Sequence, residues 1–262
     1  MKIAFIGAGN LATQLGKAAG QAAHEVVQVY SRTLASAEAL ASLLKCASTT
    51  SLEEVTSEAD LYVISVKDAV LEEVVRQVCP LHRDKVFLHT AGSMPISVFS
   101  TYAEHYGVLY PMQTFSKHKD LEFRRIPCFT EANDARSEAV IRGFAHTLSE
   151  SVYELSSAQR RYLHLAAVFA CNFTNHMYEL SSEILSRNDI PFEVMLPLID
   201  ETAEKVHTCA PHDAQTGPAV RFDRNVIDAQ LALLSAEPAL QNLYGVLSES
   251  IHAHFDVPPK NK

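Results

Sequence analysis

The sequence lacks the cysteine spacing of a disulfide or zinc protein. Its five cysteines are Cys46, Cys79, Cys128, Cys171 and Cys209, and none forms a CxxC pair. An odd number of scattered cysteines is typical of reduced thiols in a cytosolic protein. This pattern predicts a cytoplasmic protein without structural disulfides.

Positive charge is also scarce, with 22 basic against 31 acidic residues and a net charge of −9. This balance provides no electrostatic footprint for nucleic acid. No apolar run is long enough to span a bilayer, and the first predicted strand begins at residue 2, so we expect neither a membrane span nor a signal peptide. The twelve histidines contain no HxxxH pair, and His252-x-His254 is a weak pair near the end of the chain. We therefore expect no metal site.

Against these absences, the stretch from Lys2 to Ala12 carries a strong pattern. An apolar run ends in Gly7-x-Gly9-x-x-Ala12, and a helical pattern follows at once. This is the strand–turn–helix of a dinucleotide-binding unit, in which Gly7 permits the tight turn and Gly9 lets a pyrophosphate approach the backbone. Ala12 allows close packing of helix on strand. The free N–H groups of the first helical turn, from Asn10 and Leu11 onward, are expected to face the phosphates.

The end of the second predicted strand indicates which dinucleotide is bound. A site that prefers NAD usually has an Asp or Glu there, bonded to the ribose 2′-OH. This chain has Ser31, Arg32 and Thr33 instead. A guanidinium flanked by hydroxyls suits a 2′-phosphate, which favours NADP over NAD. The alternative is that Ser31 caps the following helix and Arg32 is a solvated surface charge.

Strands and helices alternate through the first half of the chain, which predicts an α/β fold with a Rossmann-type, doubly wound, mostly parallel sheet. The helices of this half include a short one near Leu52–Thr56. From residue 156 onward helical periodicity replaces the strand signals. The pattern predicts one helix over Ala158–Arg187, a next helix opened by Pro191 and two further helices over about 224–234 and 239–255. We therefore expect a nucleotide-binding domain at 1–155 and an all-α domain at 156–262.

Ligands of a doubly wound sheet bind beyond the carboxyl ends of the strands. Three segments follow predicted strands in this way. Val66 and Lys67 are expected beneath the nicotinamide ribose, His89 and Thr90 near the nicotinamide and substrate, and Gln113 near the substrate. The alternative is that these are ordinary polar loops.

The long predicted helix offers a candidate proton donor. At 100° per residue, His164, Val168, Cys171 and Asn175 lie within about 40° of one another, and Asn172 lies about 80° from His164. A histidine donates protons near neutral pH, and Asn172 or Asn175 could hold a carbonyl or amide oxygen. The alternative is that these side chains only pack against neighbouring helices.

The loop over 211–223 concentrates polar groups in the helical half. Arg221 could clamp a substrate carboxylate, although a salt bridge is an equal alternative. Asp223 is more typical of the N-cap of the helix that begins at Arg224 than of a catalytic acid.

Several motifs together resemble a known family. They are GxGNLA at 7–12, Tyr30-Ser-Arg-Thr33, His89-Thr-Ala-Gly92, Tyr110-Pro-Met-Gln-Thr-Phe115 and Thr216-Gly-Pro218. In this order, and with the helix from His164, they resemble a bacterial family of oxidoreductases with a Rossmann-like NADP-binding domain and an uncharacterised helical C-terminal domain. The resemblance covers nearly the whole chain.

The wider group is similar to pyrroline-5-carboxylate reductase, 2-dehydropantoate 2-reductase, 3-hydroxyisobutyrate and 6-phosphogluconate dehydrogenases, and deazaflavin-dependent NADP reductases. In the pantoate and hydroxyacid members, the helix that opens the second domain carries a catalytic Lys, with Asn one and two turns onward. The Lys position falls on His164 here, and the two Asn positions fall on Val168 and Asn172. Only the last matches, which puts a Lys-type mechanism in doubt.

The resemblance implies a homodimer through the C-terminal helices. It also implies NADP(H)-dependent hydride transfer with a small carbonyl, imine or hydroxyacid compound. His164 would be the proton donor, and Asn172 and His89 would orient the reacting groups. The alternative is a non-catalytic protein that binds NADP(H) to report redox state.

Overall fold

The computed structural model describes residues 1–119 and 121–256. Its eight-stranded sheet has the order β3-β2-β1-β4-β5-β6-β7-β8. The strands are β1 (Lys2–Ile6), β2 (Glu25–Tyr30), β3 (Ala47–Thr49), β4 (Leu61–Ile64), β5 (Val86–His89), β6 (His105–Pro111), β7 (Cys128–Ala132) and β8 (Val152–Glu154). All neighbours pair in parallel except β6 and β7. The predicted mostly parallel, doubly wound sheet is confirmed.

The order of the strands reverses beside β1. From β1 the chain runs outward through β2 and β3, then returns to place β4 on the other side of β1. Their carboxyl ends coincide, because Ile6 is in register with both Tyr30 of β2 and Ile64 of β4. A crevice opens at such a switch point, and it is here that this fold binds ligands.

Eleven α-helices lie within the described residues. They are α1 (Asn10–Gln21), α2 (Leu34–Leu44), α3 (Asp68–Val78), α4 (Ala135–Leu148), α5 (Ser157–Ala167), α6 (Thr174–Ser186), α7 (Leu196–Thr208), α8 (Pro211–Ala214), α9 (Pro218–Arg221), α10 (Arg224–Leu233) and α11 (Pro238–Phe255). None of them is long and apolar enough to cross a membrane.

The central strands β1, β4 and β5 are buried on both faces, which explains the continuous apolar run of β4. One core contains Leu15 of α1 and Phe144 of α4 together with Phe5 and Val63. The opposite core contains Val75 of α3 and is rich in rings, including Tyr62, Phe87 and Phe99. Tyr62 and Phe87 stack with their centroids 4.8 Å apart. Covered on both sides, the strands hold their ends in fixed positions.

The long helix predicted over 158–187 is present, but it is not α-helical throughout. Between α5 and α6 the segment Val168–Phe173 is π-helical. A π segment advances by fewer degrees per residue than an α-helix, so residues beyond it turn away from the phase of a straight helix. The angular positions predicted for Asn172 and Asn175 relative to His164 therefore need correction. Ser156 begins α5 with a capping box to Gln159.

Two other local predictions differ from the structure. The short helix near Leu52–Thr56 does not form, since only Glu53 and Glu54 make a turn and no helix is present in this segment. After Pro191 a 3₁₀ turn over Phe192–Met195 precedes α7, so the helix begins later than predicted. The chain divides into compact units at Met1–Met177 and Tyr178–Lys262. The boundary at 155/156 stays a prediction.

Candidate functional site

The turn between β1 and α1 is shaped for a ligand. Gly7 has φ +117°, and a Cβ there would collide with the Ser65 carbonyl of the neighbouring strand end. At Gly9 a Cβ would meet no protein atom within 4 Å. Gly9 is the N-cap of α1, no side chain caps the helix, and its first turn has no acidic residue. The free N–H groups therefore remain available to an anion.

A cleft of about 670 Å³ extends from this turn along the carboxyl ends of β1, β2 and β4. Its lining includes Gly7, Gly9, Ser31, Arg32, Thr33, Ser36, Val66, Lys67 and Glu73. Arg32 and Lys67 are both exposed. A groove with two cations and several hydroxyls at an uncapped helix start fits a phosphorylated dinucleotide.

The alternative role of Ser31 as a helix cap is wrong. The N-cap of α2 is Thr33, and no side chain caps this helix. The Thr33 hydroxyl instead donates to Ser36 Oγ at 2.9 Å. Ser31 is therefore free of the capping role and lines the cleft.

The loops that follow β4 and β5 are joined by hydroxyl contacts. Thr90 Oγ1 donates to Ser65 Oγ at 3.2 Å, and the Ser93 hydroxyl donates to the carboxylate of Asp68 at the start of α3. The loop after β5 is thus held against the segment 65–68, which forms the lip of the cleft and includes Lys67.

His89 occupies the end of β5, but its side chain is 0% exposed. The ring stacks on Phe99, and Nδ1 accepts from the Ala91 N–H at 3.2 Å. Burial, and then the charge of Arg160, lower the pKa of His89 to about 3. The ring is therefore neutral near pH 7. This geometry supports the start of the loop and does not present the ring to a substrate.

Arg160 of α5 is the largest fully buried side chain in the described part of the chain. Its guanidinium donates to Glu131 Oε2 at 2.5 Å and to the Met94 carbonyl at 2.7 Å. Glu131 also accepts from the Ser157 hydroxyl at 2.7 Å. This cluster fixes α5 against β7 and against the loop after β5. Removal of either charged partner would leave a buried charge without compensation.

The same loop brings Gly92 against His164 of α5. A Cβ at Gly92 would lie 2.7 Å from His164 Nδ1 and 3.0 Å from the ring of Tyr110. His164 Nδ1 is 3.0 Å from the hydroxyl of Tyr110, which lies near the end of β6. Burial raises the pKa of the Tyr110 hydroxyl, and the positive charge of Arg160 offsets part of this shift. His164 itself is only partly buried. A phenol and an imidazole thus form a hydrogen-bonded pair.

The remaining predicted residues have the following local surroundings. Asn172, in the π segment, and Asn175 are exposed, as is Gln113, whose side-chain oxygen accepts from the Thr114 N–H at 2.8 Å. Asn10 donates from its side chain to the Phe115 carbonyl at 2.9 Å, which leaves its backbone N–H for a ligand. Arg221 is exposed at the end of α9 in the second unit. Asp223 is the N-cap of α10 but forms no capping hydrogen bond through its side chain.

Sequence reasoning did not single out Tyr110, Arg160 or Glu131. Tyr110 appeared only as the first residue of the motif over 110–115, with no role of its own. The spacing of 54 residues between Tyr110 and His164 has no local signature, and their contact depends on how α5 packs. An arginine in the first turns of a helix is ordinarily a surface residue, so nothing in the pattern predicted burial of Arg160.

Comparison with known families agrees with this geometry. Residues 2–92 match the model of a family described as NADP oxidoreductase coenzyme F420-dependent, and residues 126–251 match a domain of unknown function, DUF2520. Among solved structures, a Bacteroides fragilis protein called a "putative NADP oxidoreductase" is 50% identical, with a TM-score of 0.92, over 96% of this chain and 98% of its own. The chain belongs to this NADP oxidoreductase family. The predicted family resemblance and the NADP cofactor are thereby confirmed.

More distant structures share the fold. An imine reductase from Myxococcus stipitatus, solved with NADP⁺, is 17% identical with a TM-score of 0.69 over 97% of this chain and 93% of its own. A 1-pyrroline-5-carboxylate reductase from Streptococcus pyogenes is 15% identical with a TM-score of 0.65 over 97% and 98%. No curated protein matches the sequence.

The two glycines of the turn give opposite predictions. Gly9→Ala should leave the fold intact, because the added Cβ meets open space, and should weaken NADPH binding at least tenfold by blocking close approach of the pyrophosphate. Gly7→Ala should lower the free energy of unfolding as well, because of its positive φ and the collision with Ser65. Urea unfolding and fluorescence titration with NADPH measure both effects. Wild-type affinity in Gly9→Ala would contradict this role of the cleft.

Proposed function

We propose that this oxidoreductase uses NADP(H) to transfer a hydride to or from a small carbonyl, imine or hydroxyacid compound, with His164 as the proton donor in the reducing direction. The observation that carries the proposal is the placement of a partly exposed histidine against the loop after β5. That loop is tied to the lip of the dinucleotide cleft through Ser65 and Asp68.

The cofactor contacts follow from the cleft. The backbone of Gly7, Gly9, Asn10, Leu11 and Ala12 would receive the pyrophosphate, and Ser31, Arg32 and Thr33 the 2′-phosphate. Val66 and Lys67 would lie beneath the nicotinamide ribose. NADPH, when bound, supplies the hydride from the nicotinamide C4. The protein provides orientation and the proton.

On the substrate side, His164 would protonate the developing alkoxide or amine, a contribution of roughly 10²–10⁴-fold in general acid catalysis. Thr90, Gln113, Asn172, Asn175 and Arg221 stay candidates for substrate contact. His89 acts better as a support of the loop than as an orienting group, because its ring is buried and neutral.

The choice of NADP(H) over NAD(H) is tested at Arg32. Arg32→Glu should weaken NADPH binding by well over tenfold, since loss of a hydrogen bond to a charged group costs about 1.5–3 kcal/mol and the carboxylate adds repulsion. NADH affinity should change little. Fluorescence titrations of both nucleotides measure this, with Arg76→Glu on α3 as a control for net charge. An unchanged NADPH affinity in Arg32→Glu would show that the 2′-phosphate is read elsewhere.

The proton-donor role is tested at His164. His164→Asn should lower kcat with the best member of a carbonyl and imine panel by about 10²-fold or more, with NADPH affinity retained, because the variant keeps a polar side chain but cannot donate a catalytic proton. His176→Asn in α6 is the matched control. Full turnover by His164→Asn would remove the histidine from the mechanism.

The non-catalytic sensor is distinguished by the same panel. Such a protein would bind NADPH with the preference set by Arg32 and would oxidise none of it with any carbonyl or imine compound. Hydride transfer to a single member of the panel would exclude this alternative.

We also propose a cytoplasmic homodimer that associates through the C-terminal helices. Exposed apolar side chains in the second unit support it, among them Val194, Leu198, Leu233 and Val246. Leu233 is 84% exposed. Packing such side chains against a second copy of the chain would remove apolar surface from water.

The dimer prediction is tested by sedimentation velocity. Leu233→Arg should shift the protein from dimer to monomer, because a charge at an apolar interface must lose its hydration on association. Leu43→Arg, at a 49% exposed leucine of α2 in the first unit, is the control and should leave the dimer unchanged. A wild-type protein that sediments as a monomer would overturn the proposal.

A further inference from the structure

Tyr110 and His164 are held in a geometry that distinguishes the two nitrogens of the imidazole ring. Nδ1 lies 3.0 Å from the Tyr110 hydroxyl, and the two rings meet edge to face at 74°. Gly92 packs against the same nitrogen, and a Cβ at Gly92 would lie only 2.7 Å from it. Nδ1 thus contacts protein on two sides, at the Tyr110 hydroxyl and at Gly92.

We propose that Tyr110 is a positioning residue that anchors His164 through Nδ1 and leaves Nε2 as the nitrogen that gives its proton to the substrate. This inference rests on the proposed function for its catalytic consequence, whereas the anchoring itself is a property of the protein alone. A hydroxyl is well suited to this task, because it can donate to an unprotonated nitrogen and accept from a protonated one.

The direction of the hydrogen bond follows from the surroundings of the phenol. Tyr110 keeps its proton near neutral pH, since burial raises its pKa. Nδ1 of His164 is the acceptor that the described residues offer to this proton. In the neutral ring Tyr110 therefore donates to Nδ1, and the ring proton resides on Nε2. In the imidazolium, Nδ1–H donates to the phenol oxygen, and the ring keeps its orientation.

The proton transfer is balanced without a further reactant beyond the dinucleotide of the proposed function. During reduction, the Nε2–H bond of the imidazolium breaks, and its electron pair stays on Nε2. The proton forms the new O–H or N–H bond of the product, whose carbon receives the hydride. The neutral ring left by this step transiently keeps its proton on Nδ1, hydrogen-bonded to the Tyr110 oxygen, until Nε2 takes up a proton from water before the next turnover.

Close contact with Gly92 restricts the orientation of the His164 ring. Because no side chain separates the loop from the two rings, the loop after β5 limits rotation of the imidazole. Arg160 supports the same loop through the Met94 carbonyl. The ring is therefore held by one hydrogen bond and one steric contact.

The test compares Tyr110→Phe with Tyr106→Phe, which removes a hydroxyl from the same strand and face. Nitrogen NMR of the imidazole, assigned through His164→Asn, is recorded with and without NADP⁺. In the wild type and in Tyr106→Phe, the neutral His164 should carry its proton on Nε2 alone. Tyr110→Phe should give a mixture of both tautomers. A proton on Nδ1 in the neutral wild-type ring, or no change in Tyr110→Phe, overturns the proposal.

Kinetics give a second readout. Tyr110→Phe should lower kcat on the order of tenfold, the effect of one hydrogen bond, with KM for NADPH unchanged. Gly92→Ala should lower kcat similarly by forcing the rings apart. Failure of turnover in every protein would count against the proposed function, whereas the NMR result decides the anchoring independently.

Discussion

Reversal of the strand order beside β1 is the constraint on which the rest of the site depends. With β2 on one side and β4 on the other, the turn at Gly7 is placed directly against the Ser65 carbonyl, where only a glycine fits. The same reversal opens the cleft along Ser31, Arg32 and Lys67. Parallel pairing of β4 with β5 then carries Thr90 to the edge of that cleft. Each of these positions follows from the register of the central strands, which are buried on both faces.

A second constraint operates where the sheet meets α5. Arg160 is buried with Glu131 and Met94 as partners, and it ties the helix to the loop after β5. A buried ion pair is weak evidence for stability, since desolvation offsets much of the attraction. Its value here is geometric. It holds helix, strand and loop in one arrangement, in which Gly92 touches both His164 and Tyr110.

These two constraints give the proposed chemistry a consistent layout. An uncapped helix start and the Arg32 guanidinium line the cleft, and the hydroxyl contacts of Thr90 and Ser93 connect that cleft to the loop that contacts His164. His89, which by position alone looked like an orienting group, is neutral and stacked beneath the loop. Its role is to shape the loop, while the histidine of α5 remains partly exposed. Burial distinguishes the two histidines, because His89 is fully buried whereas His164 is partly exposed.

The sequence by itself determined the Rossmann-type fold and the NADP cofactor. The spacing of Gly7, Gly9 and Ala12, and the residues around Arg32, are local patterns whose backbone and charge requirements hold in any context. It also identified His164 as a candidate. Only the tertiary structure decided that Tyr110 and Gly92 contact this histidine and that Arg160 is buried, because these contacts join segments far apart in the chain. The π segment after α5 was likewise decided by the folded helix, since periodicity at 100° per residue assumes a regular α-helix.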